Sequence, residues 1–103
     1  MLSRYLVQHV TKPLTMTVFM PDGSAHRQKV EVLMKLYAGG NSQISYRIVD
    51  PEREPLKAQQ AGYHAPGNVL LDYDGRQRLV ERPLISEINR ALSELKKNEA
   101  LPR

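Results

Sequence analysis

The chain contains no cysteine and no tryptophan, and a single phenylalanine. The absence of sulfur nucleophiles excludes disulfides, thiolate metal sites and cysteine catalysis. No run of apolar residues approaches the roughly 20 needed to cross a bilayer. Arg4, Gln8 and His9 interrupt the first ten residues, so no signal-peptide core is expected there. Phosphate-binding glycine loops, G-x-S-x-G elbows and EF-hand loops are missing as well. So are repeats, linkers and low-complexity segments. What is present is 103 residues, 41% hydrophobic and 25% charged, the profile of one globular domain large enough to bury a core.

The net charge is +4, but the basic residues are scattered. The densest group is Arg76, Arg78 and Arg82, around one expected hairpin. Nucleic-acid binders concentrate Lys and Arg on one face and add stacking aromatics. Here the five tyrosines and one phenylalanine fall mostly at core-facing positions. Nucleic acid is therefore not an expected partner, and the arginines read as a charged strand edge that discourages unwanted pairing.

Along the chain, Leu2, Leu6 and Val10 recur at helical spacing, with Tyr5 beside them, and Pro13 stops the pattern. Residues 14–20 alternate: Leu14, Met16, Val18 and Met20 form one row, Thr15, Thr17 and Phe19 the other. Apolar atoms on both rows predict a central strand. Pro21-Asp22-Gly23-Ser24 is a turn into a helix that Asp22 or Ser24 can cap. Val30, Leu33, Met34 and Tyr37 form that helix's apolar stripe, and Gly39-Gly40 is expected to end it. Ile44, Tyr46 and Ile48 mark a second strand, closed by Asp50-Pro51. Pro55 suits the first position of a short helix over 55–61, which Gly62 ends. Residues 68–73 form a third strand. Asp74-Gly75 predicts a tight hairpin into a charged fourth strand over about 76–81. Ser86 is read as the cap of a last helix bearing Ile88, Ala91, Leu92 and Leu95, and the tail from Asn98 to Arg103 should fray.

Strand, helix, strand is a right-handed crossover, so the first two strands should be parallel. The hairpin must then extend the sheet on the other side of the first strand. The expected strand order is 2-1-3-4, with the third strand antiparallel to the first, two helices on one face and one on the other. This is an α/β, thioredoxin-like three-layer sandwich with an extra N-terminal helix. A ferredoxin-like fold would need the order βαββαβ, which this chain does not offer.

In such a fold the active loop joins the first strand to the first crossover helix, here Pro21 to His26. A helix N-terminus can bind an anion or lower a thiol pKa, but there is no thiol to lower. Ser24 would need a base and an oxyanion hole to act as a nucleophile. It is more simply a turn residue. Pro66 stands about two residues from the place of an active-site cis-proline before the third strand, and a trans bond is expected. The loop carrying Asp22 and His26 should approach the loop carrying His64. Two imidazoles and a carboxylate can hold zinc or move protons, although the spacing carries no ligand signature. Asp22, Ser24, His26 and His64 are thus the candidate surface. No catalytic residue, cofactor or metal site is assigned.

Several segments together resemble a known family. "LTMTVFM", preceded by "KP", is similar to the opening strand of the soluble domain in the auxiliary component of gliding-motility-type ABC transport systems. The likeness continues through "VEVLMKLYAGGNSQISYRIVDPEREP" and "AGYHAPGNVLLDYDGRQRLV", and "LSRYLVQHV" resembles the helix that precedes that strand. The resemblance covers most of residues 2–97 and implies a domain that follows a transmembrane helix in a longer protein. It implies a place on the extracytoplasmic face of the bacterial cytoplasmic membrane, with ABC permease, ATPase or other accessory subunits as protein partners. No catalytic residues come with it.

The expectation is therefore a single domain over residues 1–103, a piece of a longer membrane-anchored protein, acting as a non-redox interaction or regulatory module. An edge strand could pair with a partner strand or with a second copy as a homodimer. The alternatives are a ligand- or metal-binding domain using Asp22, His26 and His64, and a small basic cytoplasmic protein that binds acidic partners through Arg76, Arg78 and Arg82.

Overall fold

The computed structural model describes Gln8 and residues 10–100. The expected N-terminal helix over 2–10 lies outside the described residues except for Gln8 and Val10, as does the tail at 101–103. The chain runs β1 (Leu14–Phe19), α1 (Arg27–Gly40), β2 (Ile44–Val49), α2 (Pro55–Ala61), β3 (Asn68–Tyr73), β4 (Arg76–Val80) and α3 (Ile85–Ala100). The four strands form one sheet in the order β2-β1-β3-β4. β1 is parallel to β2 and antiparallel to β3, and β3 is antiparallel to β4. The order and both directions are those the alternation and the Asp-Gly turn imply.

The two rows of β1 feed two cores. Leu14, Met16, Val18 and Met20 pack with Val30, Met34 and Tyr37 of α1 and with Ile88, Ala91, Leu92 and Leu95 of α3. Both helical stripes are buried because they repeat with the helical period and face the same side of the sheet. Burial pushes the Tyr37 hydroxyl pKa up, so it stays protonated and donates to Asn89 Oδ1 at 2.8 Å, tying α1 to α3. On the opposite face Phe19, Val49 and Ala58 form a smaller cluster beneath α2, with Ala61, Tyr63 and Leu70 packed against it. The result is the three-layer, thioredoxin-like arrangement with two long helices on one side and a seven-residue helix on the other.

Local chemistry explains the connections, with three departures from expectation. Asp74 and Gly75 both take positive φ, 54° and 83°, as a tight hairpin turn between right-twisted strands demands. Gly62 caps α2 in the left-handed conformation, donating to the carbonyls of Ala58 and Gln59. The first departure is that α1 runs through Gly39 and Gly40 and stops at Asn41, whose φ of −162° is extended. The Asn41 side chain supplies the stop: Nδ2 donates to the Val10 carbonyl and Oδ1 accepts from the Gln43 N–H, both at 2.8 Å. The second is that α1 begins at Arg27 behind His26, which makes no side-chain cap, so neither Asp22 nor Ser24 is its N-cap residue. The third is that α3 begins at Ile85, placing Ser86 inside its first turn. Glu87, also in that first turn, favours the helix N-terminus by its charge and braces the preceding loop, accepting from the Arg82 N–H at 3.2 Å. α3 runs to Ala100.

Candidate functional site

Parallel pairing of β1 with β2, and antiparallel pairing of β3 and β4, sends four connections to one end of the sheet. These are residues 20–26, 50–54, 62–67 and 81–84, and all three helices of the described chain start there. The loop carrying His64 reaches the end of β1, one residue before the loop of Asp22 and His26: the Gly67 N–H donates to the Phe19 carbonyl at 2.8 Å.

The side chains, however, are engaged separately. Asp22 bridges Arg27 Nη1 and Arg53 Nε, each at 3.3 Å. Its own N–H donates to Asp50 Oδ2 at 3.2 Å. Ser24 Oγ accepts from the His26 N–H at 3.3 Å, a turn contact. The His26 residue is exposed. His64 Nε2 lies 3.5 Å from Glu81 Oε2. Among the described residues no group of three or more His, Asp and Glu side chains could hold a metal ion. Pro66 follows a trans bond, since there is no cis peptide in the described chain.

Two residues not singled out as site residues organise this end. Asp50 Oδ1 accepts the Glu52 N–H at 2.9 Å, and this bond, with the Asp22 N–H and nearby Arg53, holds its carboxyl below the ordinary aspartate range against the opposing effect of desolvation. Asp-Pro-x-Arg after a strand is a readable side-chain turn signal. Asn68 is fully buried. Its Oδ1 accepts the N–H groups of His64 and Ala65, at 2.9 and 3.1 Å, and its Nδ2 donates to the Glu81 carbonyl at 2.9 Å. One side chain thus joins two of the four loops. No sequence signal marks it, because its partners come from two separate loops.

Chemically, this end offers charge and backbone polarity but no thiol and no activated nucleophile. It also exposes apolar surface. Leu84 is 44% and Leu56 65% accessible, and a cleft of about 550 Å³ runs between α1 and the start of α3, lined by Leu33, Pro83, Leu84, Ile85, Ser86 and Asn89. The arginines of the β3–β4 hairpin are largely spoken for. Arg78 pairs with Glu94, Arg82 with Glu87 at 2.7 Å, and Arg76 lies over the Tyr73 ring at 5.9 Å.

No protein-family model matches the chain, and neither does any curated protein. Solved structures do match. Thioredoxin of Fasciola hepatica superposes with a TM-score of 0.67 at 11% identity, over 87% of this chain and 88% of that one. The Trx4 domain of ERdj5 gives 0.64 at 18% identity, over 97% and 95%. The NTD_N/C domain of the alkylhydroperoxide reductase AhpF from Enterococcus faecalis gives 0.68 at 17% identity, over 86% of this chain and 42% of that one. At these identities the likeness is one of fold, and the fold is thioredoxin-like.

Proposed function

We propose that the chain is a non-redox thioredoxin-like recognition domain, serving as an accessory subunit of a gliding-motility-type ABC transport system. The observation that carries the recognition reading is the loop between β1 and α1. In a redox thioredoxin that loop carries the thiolate; here Asp22 is clamped between Arg27 and Arg53 and no thiol exists. A scaffold without an electron-carrying atom still presents four loops, exposed Leu84 and Leu56, and a cleft, which are features of a binding end. The transporter context rests on the resemblance of the segments between Leu2 and Lys97 and is the finer part of the proposal. It places the domain outside the cytoplasmic membrane, next to the permease and ATPase. In the described chain no helix is long and apolar enough to cross a membrane.

The metal reading has no supporting contact, since Asp22 and His64 have other partners and His26 faces solvent. The nucleic-acid reading is weakened by the ion pairs that occupy Arg78 and Arg82.

Photo-crosslinking tests the proposal. A photoreactive side chain placed at Ser24 or His64, in bacteria producing the full-length protein, is expected to capture directly the permease or another accessory subunit, with the ATPase co-purifying through the permease. Capture of none of these from either position overturns the transporter assignment. Absence of any adduct overturns the recognition reading itself.

A further inference from the structure

The two edges of the sheet are protected unequally. β4 carries Arg76, Gln77 and Arg78 and is braced by Arg78–Glu94. β2 (ISYRIV) has a single charge, no proline and no bulge in its register with β1. Its hydrogen-bonding direction follows from the ladder ends. The Leu14 N–H donates to the Gln43 carbonyl and the Met20 N–H to the Val49 carbonyl, both at 2.9 Å. In a parallel ladder, residues 43, 45, 47 and 49 therefore turn their backbone groups to β1. Tyr46 and Ile48 turn both N–H and C=O outward. Ile44 offers only its carbonyl, because its N–H donates to Asn41. Nothing among the described residues pairs with this edge.

The side chains along the edge sort by face. Tyr46 and Ile48 are half-buried against the large core. Arg47 lies on the other face, opposite Thr17, and its Nε reaches Thr17 Oγ1 at 3.5 Å. It has no carboxylate partner among the described residues. Beside it opens a cleft of about 310 Å³ lined by Thr17, Phe19, Arg47, Lys57, Gln60 and Leu70, among others. Lys57 is the second cation at this cleft, paired to Glu54 at 3.0 Å. The cleft has an apolar floor, amide and hydroxyl donors and no acidic lining residue, so it is complementary to a carboxylate.

We propose that β2 is a docking edge for an extended partner segment that alternates acidic and apolar residues. Main-chain bonds form at Tyr46 and Ile48, as in strand addition generally. The apolar residues cover Tyr46 and Ile48, and a carboxylate on the alternate face enters the Arg47–Lys57 cleft. A second copy is the poorer occupant. Antiparallel self-pairing centred on Tyr46 brings two Arg47 side chains onto one face as diagonal neighbours, between chains that each carry a net charge of +4. The inference rests on the recognition reading and names the partner's chemistry.

The probe is a capped peptide of about six residues alternating Glu and Val, the length of an ordinary strand, with a Lys/Val counterpart. The readouts are amide chemical shifts and hydrogen exchange. The Glu peptide should shift and protect the amides of Tyr46 and Ile48, and bind about tenfold more tightly than the Lys peptide at low salt. Arg47→Glu should reverse that preference while leaving the fold unchanged. Tyr46→Pro, which removes an outward N–H that the β1 ladder does not use, should abolish binding if the variant folds. Equal affinity for both peptides overturns the proposal, and so do shifts confined to residues 21–26 and 62–67. Protection of Tyr46 and Ile48 that rises with protein concentration alone assigns the edge to a second copy and also overturns it. Loop-end crosslinks to a partner, with an unresponsive edge, would refute this inference and leave the recognition reading standing.

Discussion

The two faces of the sheet are stabilised by different physics. Toward α1 and α3 the sheet buries a continuous apolar layer from every strand and two helical stripes. Toward α2 it buries little more than Phe19, Val49 and Ala58, with Tyr63 tilted against Phe19 at a ring separation of 5.7 Å. Much of the rest of that face is polar: Ser45, Thr15, Asp72 and Gln77 form one cross-strand row, and the next runs from Arg47 and Thr17 to half-buried Leu70 and Leu79. What the thin face lacks in apolar area is supplied by hydrogen bonds at its loop end, through Asn68 and Asp50. Apolar truncation should therefore dominate on the thick face, and loss of a polar anchor on the thin one.

The largest expected effect is on the thick side. Leu71 is fully buried in the large core. Leu71→Ala should cost about 3 kcal/mol, the sum of lost transfer energy and the residual cavity. Urea unfolding checks this through a lowered midpoint with an unchanged slope. A loss below about 1 kcal/mol, the range of surface substitutions and well-accommodated core swaps, would mean that the thick face is not the main source of stability.

Next comes Asn68→Ala. It leaves the N–H groups of His64 and Ala65 and the Glu81 carbonyl without their partner, and each buried orphan costs about 1–3 kcal/mol where water cannot replace it. Because the His64 residue is exposed, some of that cost is recovered, and about 2 kcal/mol is expected. Faster hydrogen exchange confined to residues 62–67 and 81–84 would mark it as a loop anchor. Uniform acceleration across the sheet would instead make Asn68 an ordinary core residue.

Ala58→Gly ranks third. Ala58 is the buried residue of α2, and glycine in a helix costs about 1 kcal/mol relative to alanine. If the thin face is held locally, exchange should rise over 55–61 while α1 and α3 keep their protection. A drop as large as that of Leu71→Ala would erase the distinction between the faces.

The contrast also explains what could be read from residue order alone. Apolar periodicity is a local property, so the stripes of α1 and α3, the two rows of β1 and the resulting strand order were all legible. So was the Asp74-Gly75 turn, because its positive φ angles restrict residue choice. Pro55 and Gly62 likewise marked both ends of α2, whereas the caps of α1 and α3 were not legible, since they depend on tertiary partners. Asn41 stops α1 by reaching Val10, 31 residues away, and Glu87 supports α3 by reaching back to Arg82. The candidate site suffered the same way. Topology brought the loops of Asp22 and His64 to one end, as the strand order requires. The side chains nonetheless chose Arg53 and Glu81, pairings that no spacing rule encodes. Where chemistry is absent from the composition, as with cysteine here, the sequence speaks clearly; where it depends on which loop meets which, it does not.

The smallest expected effect is the one with a pH signature. The Glu52 N–H, the Asp22 N–H and Arg53 together hold the Asp50 carboxyl below its unfolded value. A depressed carboxylate pKa stabilises the fold above the unfolded pKa of about 4 and loses that contribution as pH falls through the folded value. Asp50→Asn should therefore lower the unfolding midpoint slightly at pH 7. The gap between variant and parent should narrow as pH is taken from about 4 downward, where the parent's own carboxylate is being protonated. Subtracting the two titrations removes the other carboxylates from the comparison. A gap that stays constant across the acid range would show that the asparagine amide fails for shape and not for charge. The turn between β2 and α2 would then be held by geometry alone, and the polar anchoring of the thin face would reduce to Asn68.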